Sequence, residues 1–393
     1  MNLHMWKMSG TLLRKGILPT VLMCLTIALA AQSVYAAVPS HATRLSLSTS
    51  ATQTSVAPVS APAPCPTPKP YNPKATHCSK VIRATGSPTG ETSRGKTSVS
   101  YCNGQTYVAW TGVDDRINIG WDYISAPGFF GHKQTFDDWT YEDTNTNPTT
   151  LTSPELVCWK AASGQYSDMT RLWIVFTGTD RKLYYGFLQE GNPKIQVHLT
   201  IPGQSSVYSP AAATSITGAL WVAWRGNTNK YLYIEQTPDG ASWYNQQGWT
   251  SQTADGGPGF NEYCTTALGC KLWIVWIGTD TPTHHIYVGY YDELNTRTFT
   301  FVKGLADYSG LNDDLTLTSF GSTLYLPYAG VDGLFRPNVD ISSDGRGVVW
   351  NNQQDLSDDQ CIWGVGGDVL PGGHLWVAWT RYGDNQIFIQ QWN

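Results

Sequence analysis

The sequence predicts an all-β chain folded as a β-propeller of about six blades, each of four antiparallel strands. Three observations predict it. A strand-like ribbon ending on an aromatic residue recurs six times; a Gly-x-Asp turn follows most copies; and no sustained 3.6-residue apolar spacing occurs after residue 37.

The ribbons are Tyr107-Val108-Ala109-Trp110, Leu172-Trp173-Ile174-Val175-Phe176, Leu220-Trp221-Val222-Ala223-Trp224, Leu272-Trp273-Ile274-Val275-Trp276, Leu324-Tyr325-Leu326-Pro327-Tyr328 and Leu375-Trp376-Val377-Ala378-Trp379. Their final aromatics lie 66, 48, 52, 52 and 51 residues apart, a period that suits one blade per repeat. Each ribbon is apolar at nearly every position. A strand with one wet face would alternate, so these strands are expected to be covered on both faces, as stacked blades require. The tryptophans are therefore expected in the core. Pro327 cannot donate to a ladder, and a bulge is expected there.

In the first five repeats a glycine follows the last aromatic by two residues: Gly112, Gly178, Gly226, Gly278 and Gly330. Asp114, Asp180, Asp280 and Asp332 come two residues later. These are expected as tight turns, with glycine at positive φ and aspartate bonding its own backbone. A further strand follows, as in Ile117–Trp121 and Tyr231–Ile234. The sixth repeat runs out after Gln386–Gln390, one strand short. A strand near Lys80–Ala84 is expected to supply the outer edge and close the ring.

Ahead of the repeats, residues 1–36 read as a cleavable export signal. Lys7, Arg14 and Lys15 precede an apolar stretch from Ile17 to Ala30, and Val34-Tyr35-Ala36 fits a signal-peptidase site. Residues 37–78 form a Ser/Thr/Pro-rich linker, expected to be disordered because it has too little apolar surface to bury. The propeller domain is assigned to 79–393. The expected location is extracellular or at the cell surface.

Without the three basic residues of the signal, 22 basic residues face 30 acidic ones, a formal charge of −8. From residue 97 onward, 15 basic and 29 acidic residues give −14. That surface excludes nucleic acid as an expected partner, since neutralising phosphates requires Lys and Arg. It also disfavours anionic membranes and anionic ligands.

Thr237-Pro238-Asp239-Gly240-Ala241-Ser242-Trp243 and Ser342-Ser343-Asp344-Gly345-Arg346-Gly347-Val348-Val349-Trp350 resemble degenerate Asp boxes, the recurring turns of the sialidase-like propellers. With the repeats, the resemblance covers about residues 97–393. It implies that Asp239 and Asp344 are structural turns between outer strands, and it raises the prospect of glycosidase chemistry. Sialidases need three converging arginines, a Tyr–Glu nucleophile pair and an Asp acid/base. Here Phe335-Arg336-Pro337-Asn338 is the nearest string to their Phe/Tyr-Arg-Ile-Pro motif, and it falls in the fifth repeat without the Ile. Eleven arginines follow the signal, of which Arg44, Arg83 and Arg94 precede the repeats.

A neutral-glycan hydrolase would need only two suitably spaced carboxylates. Loops leading into the innermost strands gather at one mouth of a propeller, and those loops are expected to hold Glu262, Asp313, Asp314, Asp358 and Asp359. These acids are the ligand-binding candidates; Ca²⁺ is the ion they would suit, since it takes several oxygen ligands without a fixed motif. No other cofactor is indicated. His284-His285 is expected as an exposed turn.

Seven cysteines follow the signal: Cys65, Cys78, Cys102, Cys158, Cys264, Cys270 and Cys361. An exported chain can form disulfides. Cys65 with Cys78 and Cys264 with Cys270 are nearest in sequence. Cys102, Cys158 and Cys361 precede the main strands of repeats one, two and six, neighbours in a closed ring, and a bridge between two of them is expected. Zinc is disfavoured, as no Cys-x-x-Cys occurs.

Three functions follow. The first is an exported module that binds carbohydrate or another extracellular ligand. The second is a glycoside hydrolase with diverged motifs, and the third a protein-binding or adhesion surface.

Overall fold

The computed structural model describes residues 81–83, 93–123, 132–135, 149–189, 192–195, 199–280, 284–309, 314–330, 336–356, 360–361, 363–370 and 373–392. The proposed signal and linker lie outside the described residues, as do Cys65, Cys78, Asp313, Asp332, Asp358 and Asp359.

Six antiparallel sheets follow one another along the chain. Their inner strands are Ser98–Cys102, Glu155–Trp159, Ala211–Thr214, Gly259–Thr265, Thr318–Phe320 and Gly366–Leu370. The second strands carry the aromatic ribbons: Gln105–Thr111, Arg171–Thr177, Leu220–Arg225, Gly269–Ile277, Thr323–Ala329 and His374–Thr380. The third strands are Ile117–Tyr123, Lys182–Gln189, Tyr231–Thr237, His285–Tyr291, Pro337–Ser342 and Ile387–Trp392. Outermost are His132–Thr135, Leu199–Ser205, Tyr244–Thr253, Phe299–Ser309, Asn351–Asp355 and, in blade six, Val81–Arg83. Blade two adds a short strand, Asn192–Ile195, beside its third. The helical content described is one 3₁₀ turn, Gly164–Tyr166.

The ring closes in two ways. Each inner strand lies beside the next, and the sixth lies beside the first. The N-terminal strand then completes blade six, pairing Val81 with Gln390, Ile82 with Ile389 and Arg83 with Phe388. Residues from the two ends of the chain thus share one sheet, which leaves no free edge on the last strand. A chain beginning at Ser93 is expected to unfold about 2 to 4 kcal/mol more easily, from three lost pairings at roughly 1 kcal/mol each. Urea unfolding measures this; an unchanged midpoint would show that the strand adds nothing.

The continuous apolar ribbons are explained by stacking. Leu220, Val222 and Trp224 enter a cluster with Trp173, Val175 and Tyr185 of blade two. The alternate residues Trp221 and Ala223 enter another with Ile274 and Trp276 of blade four. Equivalent clusters join every successive pair of blades, including Ala378 and Ile389 of blade six with Val108 and Trp110 of blade one. Trp173, Trp221, Trp224, Trp273, Trp276 and Trp379 are all fully buried.

Two local expectations are corrected. Pro327 causes no bulge: it pairs in register with Val339, and the inner-strand ladder ends at Thr318–Tyr325, short of the proline. The missing N–H therefore breaks no ladder. The glycines after the ribbons do not supply positive φ, which falls later in the turns at Asp115, Arg181, Lys230, His284 and Asn385. They supply space instead. A Cβ on Gly178 would lie 2.5 Å from the Tyr184 ring, and one on Gly278 would lie 2.3 Å from the Tyr287 ring.

Candidate functional site

Four turn aspartates hold backbone, as expected. Asp114 accepts from Arg116 N at 3.2 Å and Asp180 from Lys182 N at 3.1 Å, both between second and third strands. Asn229 and Asp384 fill the same place in blades three and six, with Tyr231 N at 3.1 Å and Gln386 N at 3.2 Å. Asp239 accepts from Ala241 N and Ser242 N at 2.9 and 2.8 Å, and Asp344 from Arg346, Val348 and Val349 N at 2.8–3.0 Å. These last two turns join third and fourth strands and cover Trp173 and Trp273 of the preceding blades through Gly240 and Gly347. Asp280 also takes backbone hydrogen bonds, from its own turn and from His285, and in addition holds the ring of His285, which begins a strand; the His284-His285 pair is therefore half-buried rather than an exposed turn.

The inner strands all begin on one face, here called the head face. Ser98, Glu155, Ala211, Gly259 and Gly366 each open an inner strand opposite the residue before an aromatic anchor. Two residues earlier stand Lys96, Ser153, Ser209, Gly257 and Gly364. In blade five Asp314 holds the corresponding place, four residues before Thr318.

At this level the axis is closed by charge. Lys96, 1 % exposed, donates from Nζ to Glu155 Oε2 at 3.0 Å and to the Leu315 carbonyl at 3.0 Å. It ties blades one, two and five together. Asp314 accepts from the backbone N–H of Ser209 at 3.1 Å and of Gly257 at 3.0 Å, and from the Ser209 hydroxyl. It ties blade five to blades three and four. The glycines are needed for this approach: a Cβ on Gly257 would lie 2.2 Å from Asp314 Oδ1, and one on Gly364 would lie 1.9 Å from the Asp314 carbonyl.

Burial pushes Glu155 above the usual carboxylate range, against the pull of Lys96 and with help from the Asp314 charge. Farther along the axis Asp368 accepts from Tyr101 N at 3.2 Å, Val369 N at 2.8 Å and Thr318 Oγ1 at 3.1 Å, and burial pushes it up to about 6.

Beside this plug, on the seam between blades three and four, lies a second polar group. Arg225, 4 % exposed, donates from Nε to the Ala254 carbonyl at 2.7 Å, with its guanidinium 4.7 Å from the Tyr208 ring centre. Asp255 pairs with Lys230 at 2.7 Å and faces His284 Nδ1 at 3.8 Å. Tyr208 precedes Ser209, so the seam and the axial plug are continuous. Desolvation lowers Arg225 and raises Tyr208.

Of the sequence candidates, Asp314 stands at the head-face axis. Glu262 does not. It lies at the midpoint of the inner strand Gly259–Thr265 and accepts from Ile216 N at 2.6 Å at the inner hairpin of blade three. Nearby Glu293 takes Thr217 Oγ1 at 2.7 Å and Trp221 Nε1 at 3.2 Å. The strand starts at Gly259, so Glu262 is outside the loop that leads into it. Glu262 sits close to Cys264 and Cys270 in a ligand-like group, but those sulfurs bond each other. The Cys264–Cys270 pairing agrees with expectation, and Cys102–Cys158 bridges blades one and two. Cys361 is buried in blade six, outside both bridges.

Lys96, Glu155, Asp368 and Arg225 were not singled out from sequence. A signal existed for Glu155: Pro154, Pro210 and Pro258 mark equivalent starts, and aligning them puts a carboxylate where the other two blades have Ala211 and Gly259.

No protein-family model matches the sequence, and no curated protein matches it. Solved structures do match the fold. The lectin of Aleuria aurantia, in a mutant form complexed with Fucα1-6GlcNAc, is similar with a TM-score of 0.53 at 13 % identity, over 78 % of this chain and 94 % of that one. The α-L-arabinanase of Penicillium chrysogenum, complexed with arabinobiose, gives 0.55 at 11 % identity, over 81 % and 99 %. The α-L-arabinofuranosidase of Fusarium graminearum, in complex with an iminosugar inhibitor, gives 0.54 at 9 %, over 80 % and 96 %. The fold class is that of the β-propellers.

Proposed function

We propose that the chain is an exported carbohydrate-binding propeller that holds a glycan on its head face without cleaving it. The observation that carries this reading is a division of labour on that face. Glu155 and Asp314, the carboxylates best placed for acid/base work, are tied to Lys96, Ser209 and Gly257 and hold blades together. What remains for a ligand is hydrogen-bonding and aromatic: Arg225, Tyr208 and Asp255, grouped at a blade seam. Planar polar groups beside an aromatic ring suit a sugar's hydroxyls and its apolar face. The fold likeness to propellers bound to Fucα1-6GlcNAc and arabinobiose supports it. Export is supported by the two disulfides. A sialidase-like ancestry is supported by the turns at Asp239 and Asp344.

The second reading, a glycoside hydrolase, draws on the raised Glu155 beside Asp314. The test applies the chain from residue 37 to a glycan array and to a panel of aryl glycosides. Retention on at least one glycan class, with no aryl release, is expected. Aryl release that disappears in Glu155→Gln would replace the binding reading with the hydrolase, and retention of protein partners alone would replace it with the adhesion module.

A further inference from the structure

We propose that the seam between blades three and four is the glycan subsite and that it takes a carboxylate-bearing sugar unit, as in a uronic-acid glycan. This rests on the binding role argued above. The residue after each aromatic anchor is Thr111, Thr177, Arg225, Ile277, Ala329 and Thr380 in blade order. The three threonines close their seams with one hydrogen bond each to the next linker: Thr111 Oγ1 to the Thr152 carbonyl at 2.8 Å, Thr177 to Tyr208 at 2.8 Å and Thr380 to Gly95 at 3.1 Å. Arg225 makes the same closure with Nε. Its two terminal nitrogens are surplus to that task.

Those nitrogens have no hydrogen-bond partner among the described residues, although the side chain is 4 % exposed. The acid on the adjoining linker, Asp255, acts on the guanidinium through its charge but is itself paired with Lys230, so no carboxylate among the described residues hydrogen-bonds the two terminal nitrogens. A ligand carboxylate matches them: two parallel N–H···O bonds from Nη1 and Nη2, in the geometry a guanidinium favours. Tyr208 already holds the guanidinium plane from one side. Asp255 and His284 would then meet neighbouring hydroxyls of the sugar. The acidic balance of the domain disfavours anions at long range but does not decide this. Charges spread over the surface are screened within about 8 Å at physiological salt, whereas the seam acts at contact distance. One arginine here also differs from the three that sialidases use.

The test is titration calorimetry with trigalacturonate and its methyl ester, on wild type and Arg225→Thr. The threonine variant copies blades one, two and six, so it is expected to fold with an unchanged melting temperature. Arg225→Gln serves as the second variant. Wild type is expected to bind trigalacturonate at least tenfold more tightly than the ester, and either variant to lose that preference. Equal binding of acid and ester by wild type, or an unaltered preference in a folded variant, would overturn the carboxylate assignment. If neutral glycans bind on the array and neither variant weakens them, the seam assignment falls while the binding function stands. If no glycan binds at all, the binding function itself falls.

Discussion

Gly366→Ala is expected to prevent the ring from closing. A Cβ at this position would stand 1.7 Å from the carbonyl oxygen of Thr97 and 2.6 Å from its carbon. Both are backbone atoms of the residue that leads into the neighbouring inner strand, so no rotamer change can relieve the clash. Overpacking in a well-packed core costs about 1 to 3 kcal/mol when side chains can yield. Here blades six and one must move apart at their innermost strands, which also loosens the packing of Val99, Val108 and Trp110 against Ala378 and Ile389 farther out. A loss of more than about 3 kcal/mol is expected. Denaturant unfolding, followed by tryptophan fluorescence, would show it as a lower midpoint or as failure to fold. Gly383→Ala is the control, since nothing lies within 4 Å of its Cβ. Its φ of 97° adds a backbone strain of about 1 to 3 kcal/mol to the control, so a larger loss for Gly366→Ala isolates the clash.

Lys96→Met is expected to be the costliest single side-chain change on the head face. It leaves Glu155 and the Leu315 carbonyl buried without their donor, and breaking a buried pair in this way costs about 3 to 5 kcal/mol. The loss should depend on pH. Glu155 already titrates above its unfolded value, so between the two values the folded state binds more protons than the unfolded one. Stability therefore falls as pH rises through that window. Removing the ammonium raises the folded value further, so the gap between wild type and Lys96→Met should widen from pH 4 to pH 8. The double variant Lys96→Met with Glu155→Gln should recover part of the loss, because no charge is then left buried. Urea midpoints at three pH values measure both effects; a pH-independent gap would mean that Glu155 does not carry the charge.

Much of the fold was legible because each blade repeats the same local problem. The ribbon of Leu220 to Trp224 must be covered on both faces, and its two faces do enter two different clusters. The outer strand from the N-terminal region was legible because the sixth repeat ended one strand short. The disulfide Cys264–Cys270 followed from closeness in sequence, and Cys102–Cys158 from the adjacency of repeats in a ring.

The site was legible only in part. Asp314 was found because two acids adjoin in a connecting loop. Lys96 was missed because its partners lie 59 and 219 residues away, on blades two and five. No local pattern records such a bond; it arises where six inner strands converge. Glu262 was misplaced by a few residues of strand boundary, which is enough to move a side chain from one end of an inner strand toward the other. Arg225 belongs to no motif in the sequence. Its peculiarity appears only when the six equivalent positions are aligned and three of them prove to be threonines with a shared bond.

The most direct test of a sugar-holding head face is a crystal of the exported chain soaked with an oligosaccharide that the array selects. Density for the intact sugar at the blade three–four seam, over Arg225 and Tyr208, is the result expected. Density for a cleaved product lying against Glu155 and Asp314, or for sugar on the opposite face beside Glu262 and Glu293, would contradict it.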